Sequence, residues 1–268
     1  MLTLCDELNK LIDVFEADIP ANPQSPKNRR KAISIERIMK QYFANLELAL
    51  SNKLIKQLYW KYVIQEAEMK PGAWDGIHST LDPILSILHD SLVIKMVGQL
   101  TTIYMDGSAE MVTWGRTLGG VPIAYEGPPI EQAIKWAEKH GAQLVTKMDE
   151  ESKRRLAKVI SDGIKNKRGI PGISRDLRAE FKNMTKHRSE LIAKSETRDA
   201  LFQASHDSMI DMGIDGKEWV LGAGGETGNC DDCIANAAVG IIPVSRDFPT
   251  PEGDIHPGCT CAIAPAIL

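Results

Sequence analysis

Apolar residues recur at helical spacing through most of the chain. Leu2, Leu4, Leu8, Leu11 and Ile12 mark a first helix, which the proline-bearing residues 20–26 interrupt. Ile35, Ile38, Met39, Tyr42, Leu46 and Leu50 predict a second helix over about 33–68, with its exit at Pro71-Gly72. A third is expected over 83–103. Residues 116–129 are dense in glycine and proline and read as a linker.

Beyond the linker the pattern sharpens. Ile130, Ile134 and Ala137 share one face of a helix that Gly141 is placed to close. Leu156, Val159, Ile160 and Ile164 mark the next, with Asp149, Glu150 and Glu151 at its start, where the helix dipole favours acids. Pro171-Gly172 resets the chain, and Ile173, Leu177 and Phe181 give a short helix. Thr185 is the expected N-cap of a last long helix, with the stripe Leu191, Ile192, Ser195, Phe202, Met209 and Ile210, ended by Gly213. From Glu218 the period changes. EWVLGA reads as a strand, GGETGN as a turn, GIIPV as a short strand, and CTCAIA as a final strand stopped by Pro265.

Helices first and a small β-rich module last imply an α+β chain rather than a doubly wound sheet. Its expected parts are a helical region over 1–115, the linker over 116–129, and a domain over 130–268. That domain holds helices over 130–212 and a β module over 214–268.

Composition adds bounds. The chain has 268 residues, 43% of them hydrophobic and 25% charged, which is ordinary for a globular protein. Its net charge of −4 argues against a dedicated nucleic-acid binder. The apolar stretch over 83–98 is broken by His89, Asp90 and Lys95, so no membrane span is expected. The early acids of MLTLCDELNK do not fit a secretory signal, and synthesis in a cytoplasm is expected. Charge is uneven along the chain. Residues 151–198 carry fourteen Lys and Arg against six Asp and Glu, whereas 213–257 carry two against eight. Arg154, Arg155, Lys158, Lys165, Lys167 and Arg168 are therefore the candidate nucleic-acid contacts, if that surface is more than a solvated helix face.

Candidate chemistry gathers at the end. Cys5 stands alone, whereas Cys230, Cys233, Cys259 and Cys261 fall within 32 residues. Cys230-Asp-Asp-Cys233 is followed by His256-Pro-Gly-Cys259-Thr-Cys261. Zinc takes four thiolate or imidazole ligands in a tetrahedron, and the pair of motifs offers five. Either all four cysteines ligate, or His256 replaces one of them. One structural zinc per chain is the expected cofactor. A catalytic zinc would need an open position, which this many ligands does not leave. A CxxC redox centre would need a helix N-terminus and a thioredoxin-like βαβ unit, and the sequence signals neither. There is no P-loop, GxSxG or HExxH motif, and the remaining histidines are scattered. No enzyme activity and no small-molecule substrate are expected.

The ordered set RSELIAKSETRDALFQAS, EWVLGAGGETGNCDDC and IHPGCTC resembles the C-terminal domain of the phage Mu F-like minor head proteins, the phage head morphogenesis family. The resemblance covers roughly residues 130–267. It implies a minor capsid component of a tailed bacteriophage, present at low copy in the virion, near the portal or in the head interior. Assembly would take place in the host cytoplasm. The implied role is head assembly or genome packaging and delivery, with the portal protein or other head proteins as partners and packaged DNA as a further contact. The family's metal motif falls on Cys230, Cys233, His256, Cys259 and Cys261, and its helix signature on Lys194-Ser195-Glu196. Thr260 stands where the family commonly has arginine, so no phosphate contact is expected there. The alternative is a metal-dependent nuclease or a DNA-binding protein acting on packaged DNA.

Overall fold

The computed structural model describes residues 19–50, 54–60, 73–117, 129–223 and 228–268, with side chains of the second helix described from residue 80. The first predicted helix, Cys5, most of the linker and most of the GGETGN turn lie outside the described residues. The elements are α1 (Pro26–Ala49), a helical stretch over 54–60, α2 (Ala73–Thr117), α3 (Ile130–Lys165), α4 (Ile170–Asn183), a π-helical turn (Met184–Arg188) and α5 (Ser189–Asp211). Then follow β1 (Gly216–Val220), α6 (Asp231–Ala238), β2 (Ile242–Pro243), a 3-10 turn (Glu252–Asp254) and β3 (Ala262–Ala266). The fold is α+β, mostly helical with one small antiparallel sheet at the C-terminal end.

Several predicted boundaries shift, each for a physical reason. Pro26 opens α1, with the Ser25 hydroxyl accepting the Asn28 N–H at 3.2 Å as an N-cap does. Pro83 lies inside α2 rather than at its start. Gly141 does not end a helix. Ala133, Ala137, Val145 and Met148 continue one buried stripe across it, and that burial outweighs the ~1 kcal/mol cost of an interior glycine. Asp149, Glu150 and Glu151 accordingly sit in the middle of α3. Thr185 caps nothing, because it lies in the π turn, where the Ser189 N–H bonds to the Met184 carbonyl. Gly213 does end α5, at φ 69°, with the Ile214 N–H reaching the Met209 carbonyl at 2.9 Å.

The chain forms two compact units. One comprises Glu36–Val97 and Glu138–Glu190. Its core holds Tyr42, Phe43, Leu85, Met96, Leu156 and Phe181, all buried. Buried Asp149 accepts the Tyr42 hydroxyl at 2.6 Å and faces His89 Nδ1 at 2.6 Å. Gly163 lets α3 approach α4, since a Cβ there would sit 2.6 Å from Ile173.

The other unit comprises Met1–Ile35, Gly98–Ala137 and Leu191–Leu268. Tyr104, Ala133 and Ala204 form a buried cluster with Met105 and Trp136 against it. Gly107 allows the contact of α2 with α5, where an added Cβ would lie 3.0 Å from Leu201. Glu110 accepts the N–H of Ala21, whose φ is 54°, and so ties down the turn before α1. The sheet has the order β2-β1-β3, with both pairings antiparallel. Trp219 of β1 makes edge-on contacts with Phe202 of α5 and with Phe248, at 5.6 and 5.2 Å between centroids. Pro265 does not stop the last strand but lies within β3, opposite Lys217.

Candidate metal centre

The first ligand pair sits on a helix end. Cys230 is the N-cap of α6, and its Sγ accepts the Cys233 N–H at 3.4 Å. The CxxC motif thus occupies a helix N-terminus, contrary to the sequence reading. Asp231 and Asp232 follow in the first turn, where the dipole favours acids.

The second pair comes from the loop before β3. Gly258, at φ 77°, turns the chain, and Cys259 and Cys261 follow, both buried. They precede the strand rather than lie within it, and the Cys261 N–H bonds to Cys259 Sγ at 3.4 Å. Cys233 Sγ lies 3.4 Å from Cys259 Sγ.

These segments bring five donors together. The ligand atoms of Cys230, Cys233 and His256 lie within 4.8 Å of one another, as do those of Cys233, Cys259 and Cys261. Cys233 belongs to both groups. Cys233, Cys259 and Cys261 are buried, Cys230 is half-buried and His256 is exposed. All four cysteines are free thiols. The cluster can hold a metal ion, and its sulfur content suits a soft or borderline one.

Helix α5 fixes the loop from below. Ser195 Oγ accepts the Gly258 N–H at 3.0 Å while donating to the Leu191 carbonyl at 2.9 Å. Arg198 is buried, and its Nη1 donates to the His256 carbonyl at 2.9 Å. Its Nε and Nη2 are held by Asp199 Oδ1 at 2.8 and 2.6 Å. A Cβ on Gly258 would lie 2.9 Å from Leu191, and one on Gly222 would lie 2.3 Å from the Thr260 carbonyl oxygen. In the sequence Ser195 falls in an apolar stripe and in the helix signature of the resembled family, while Arg198 carries no assigned role. Both serve the ligand loop.

The thiols differ sharply in acidity. A hydrogen bond from Cys259 holds the Cys261 thiol down, to about 5, against the opposing effect of burial. The Gly222 backbone, Cys233 and Trp219 favour the same thiolate. Burial pushes Cys233 up to about 12, and the hydrogen bond with Cys261 drives Cys259 higher still. Among Cys233, Cys259 and Cys261 the thiolate thus rests on Cys261. A divalent metal supplies the charge that lets Cys233 and Cys259 ionise as well.

The candidate nucleic-acid residues lie elsewhere, on α3 and the turn after it. Arg154 and Arg155 both reach Glu151 at 2.7 Å, and Arg155 also reaches Glu180 at 3.0 Å. Lys158 pairs with Asp162, and Arg168 with Asp176. Lys167 takes φ 53° in the turn. Arg154, Arg155, Lys158 and Arg168 are therefore already met by neighbouring carboxylates.

No family model, curated protein or solved structure matches the chain.

Proposed function

We propose that the chain is a non-enzymatic minor head protein of a tailed bacteriophage, with its C-terminal β module closed by one structural zinc. The observation that carries this reading is the convergence of the segments behind the family resemblance. The helix with Ser195 and Arg198, the Trp219 strand, the CDDC helix end and the HPGCTC loop all meet at one centre. A shared sequence order explains such convergence if the module is the family's.

Zinc fits the donors. Zn–S bonds of about 2.3 Å in a tetrahedron place sulfurs about 3.8 Å apart, so the Cys233–Cys259 pair needs only a slight widening. Cys233, Cys259 and Cys261 would fill three positions, with Cys230 or His256 in the fourth. With its coordination closed, such a zinc would stabilise the fold rather than activate water. Structural zinc in finger peptides contributes about 10–16 kcal/mol of apparent binding energy at neutral pH.

Portal or other head proteins are the proposed partners, and the virion is the proposed location. Gel and mass analysis of purified virions tests this. The expected result is the chain at low copy, associated with the portal vertex. Absence from virions and procapsids, or hundreds of copies per particle, would refute it.

A further inference from the structure

The sequence locates a positive charge excess over residues 151–198 without saying which cations are already neutralised. The structure separates the two groups. Helix α4 carries only Asp176 and Glu180 as acids, and both are engaged at its flank. Asp176 takes Arg168, and Glu180 takes Arg155. The buried side of the helix holds Ile173, Leu177 and Phe181.

Its outer side is different. Arg175, Arg178 and Lys182 are exposed, and Lys186 of the following π turn is exposed as well. Spaced three, four and four residues apart, they form one stripe along the helix. Among the described residues none of these four makes an ion pair, in contrast to Arg154, Arg155, Lys158 and Arg168. The exposed residues between them are Ala179 and Asn183, so no acid interrupts the stripe.

We infer that this face of α4 and the π turn docks the phosphate backbone of a nucleic acid. The stripe is about 17 Å long at 1.5 Å per residue, a length over which one DNA strand carries about five phosphates. Arg and Lys side chains make the contacts that position a protein on that backbone without reading sequence. A protein partner would call for an apolar or aromatic anchor at the centre of the patch. Here the exposed face offers only Ala179. The surface differs from the one expected from the sequence, and its chemistry stands whether or not the chain is a head protein.

The test is fluorescence anisotropy of the full chain with a mixed-sequence 20-base-pair DNA duplex. Four phosphate contacts predict an affinity loss of roughly 100-fold between 50 and 200 mM salt. A variant combining R175Q, R178Q, K182Q and K186Q should lose most of the affinity and most of that salt dependence. R154Q with K158Q, which removes cations that already have carboxylate partners, should change affinity less than about threefold. Unchanged binding by the fourfold variant, or equal weakening by both variants, overturns the inference. Tighter binding of polyglutamate than of DNA also overturns it, pointing to an acidic protein instead. Circular dichroism checks that the variants keep their helix content. In the unmodified chain, DNA should protect Lys182 and Lys186, but not Lys158, from acetylation. Equal acetylation with and without DNA would count against the site even if the fourfold variant fails to fold.

Discussion

Arg198 Nη1 donates to the main-chain carbonyl of His256 at 2.9 Å, across 58 residues of sequence. The same guanidinium is gripped by Asp199 and lies over the Phe202 ring, 5.8 Å from its centroid. A long helix thereby holds the loop that presents His256, Cys259 and Cys261. Ser195, one turn earlier, holds the same loop at Gly258.

Arg198→Ala should therefore loosen the ligand loop as well as the core. Arg198 is buried but Asp199 is partly exposed, so the cost should fall below the ~3–5 kcal/mol of breaking a fully buried ion pair. Arg198→Lys should recover only part of that, because an ammonium cannot fork between Asp199 and the His256 carbonyl. Urea denaturation, together with zinc affinity by competition with a chelator, would check both. Wild-type zinc affinity in Arg198→Ala would contradict the link between helix and loop.

The metal ligands should rank by position. Cys233 belongs to both donor groups and is buried, so Cys233→Ser should abolish stoichiometric zinc. Cys230→Ser and His256→Ala should each weaken binding less, since each can stand in for the other on the solvent side. Elemental analysis of the three purified variants measures this directly, against the one zinc proposed per unmodified chain.

Gly222 has no room for a side chain. Gly222→Ala would drive a methyl into the Thr260 backbone, 2.3 Å from its oxygen, and so shift the segment between Cys259 and Cys261. Overpacking of this kind costs about 1–3 kcal/mol. The expected signature is a lowered denaturation midpoint accompanied by weaker zinc retention. Gly213→Ala, at a helix end with open space around it, should lower the midpoint with zinc retention intact.

His206 and Asp207 give a pH dependence of known sign. Hydrogen bonding to Asp207 raises His206 above its ordinary 6.5, outweighing burial. Its contribution is fully present below the unfolded value and is lost as pH rises through the raised one. Burial pushes Asp207 upward, but hydrogen bonds from His206, Tyr104 and Gln203 outweigh it and hold the carboxyl below its ordinary value. That contribution is present above the unfolded value and fades as pH falls through the lowered one. Stability measured from pH 6 to 8.5 should decline through this pair, and His206→Asn should flatten the decline.

The helical stripe of Ile173, Leu177 and Phe181, the stop at Gly213 and the gathering of four cysteines were legible because each is a local pattern. Gly141 and the run Asp149–Glu151 misled for the same reason. Local chemistry favours a break there, but Asp149 is claimed by Tyr42, 107 residues away, and a buried stripe carries the helix through. Ser195 and Arg198 could not be read from spacing, since their partners are a main-chain amide and a main-chain carbonyl far along the chain. Charge counting found the basic region. Only the positions of Glu151, Asp162, Asp176 and Glu180 show which of its cations are already satisfied.

Pro265 bears on how copies of this protein can meet. An antiparallel strand tolerates proline only where its nitrogen points away from the partner, so the Lys217–Pro265 pair exchanges no hydrogen bonds. Along the outer margin of β3 the Pro265 position has no donor, where another strand would seek a rung. Sheet-to-sheet polymerisation through this margin is thereby disfavoured. Crowding many copies together need not zip them into a β ribbon, because the last strand carries its own stop against extension.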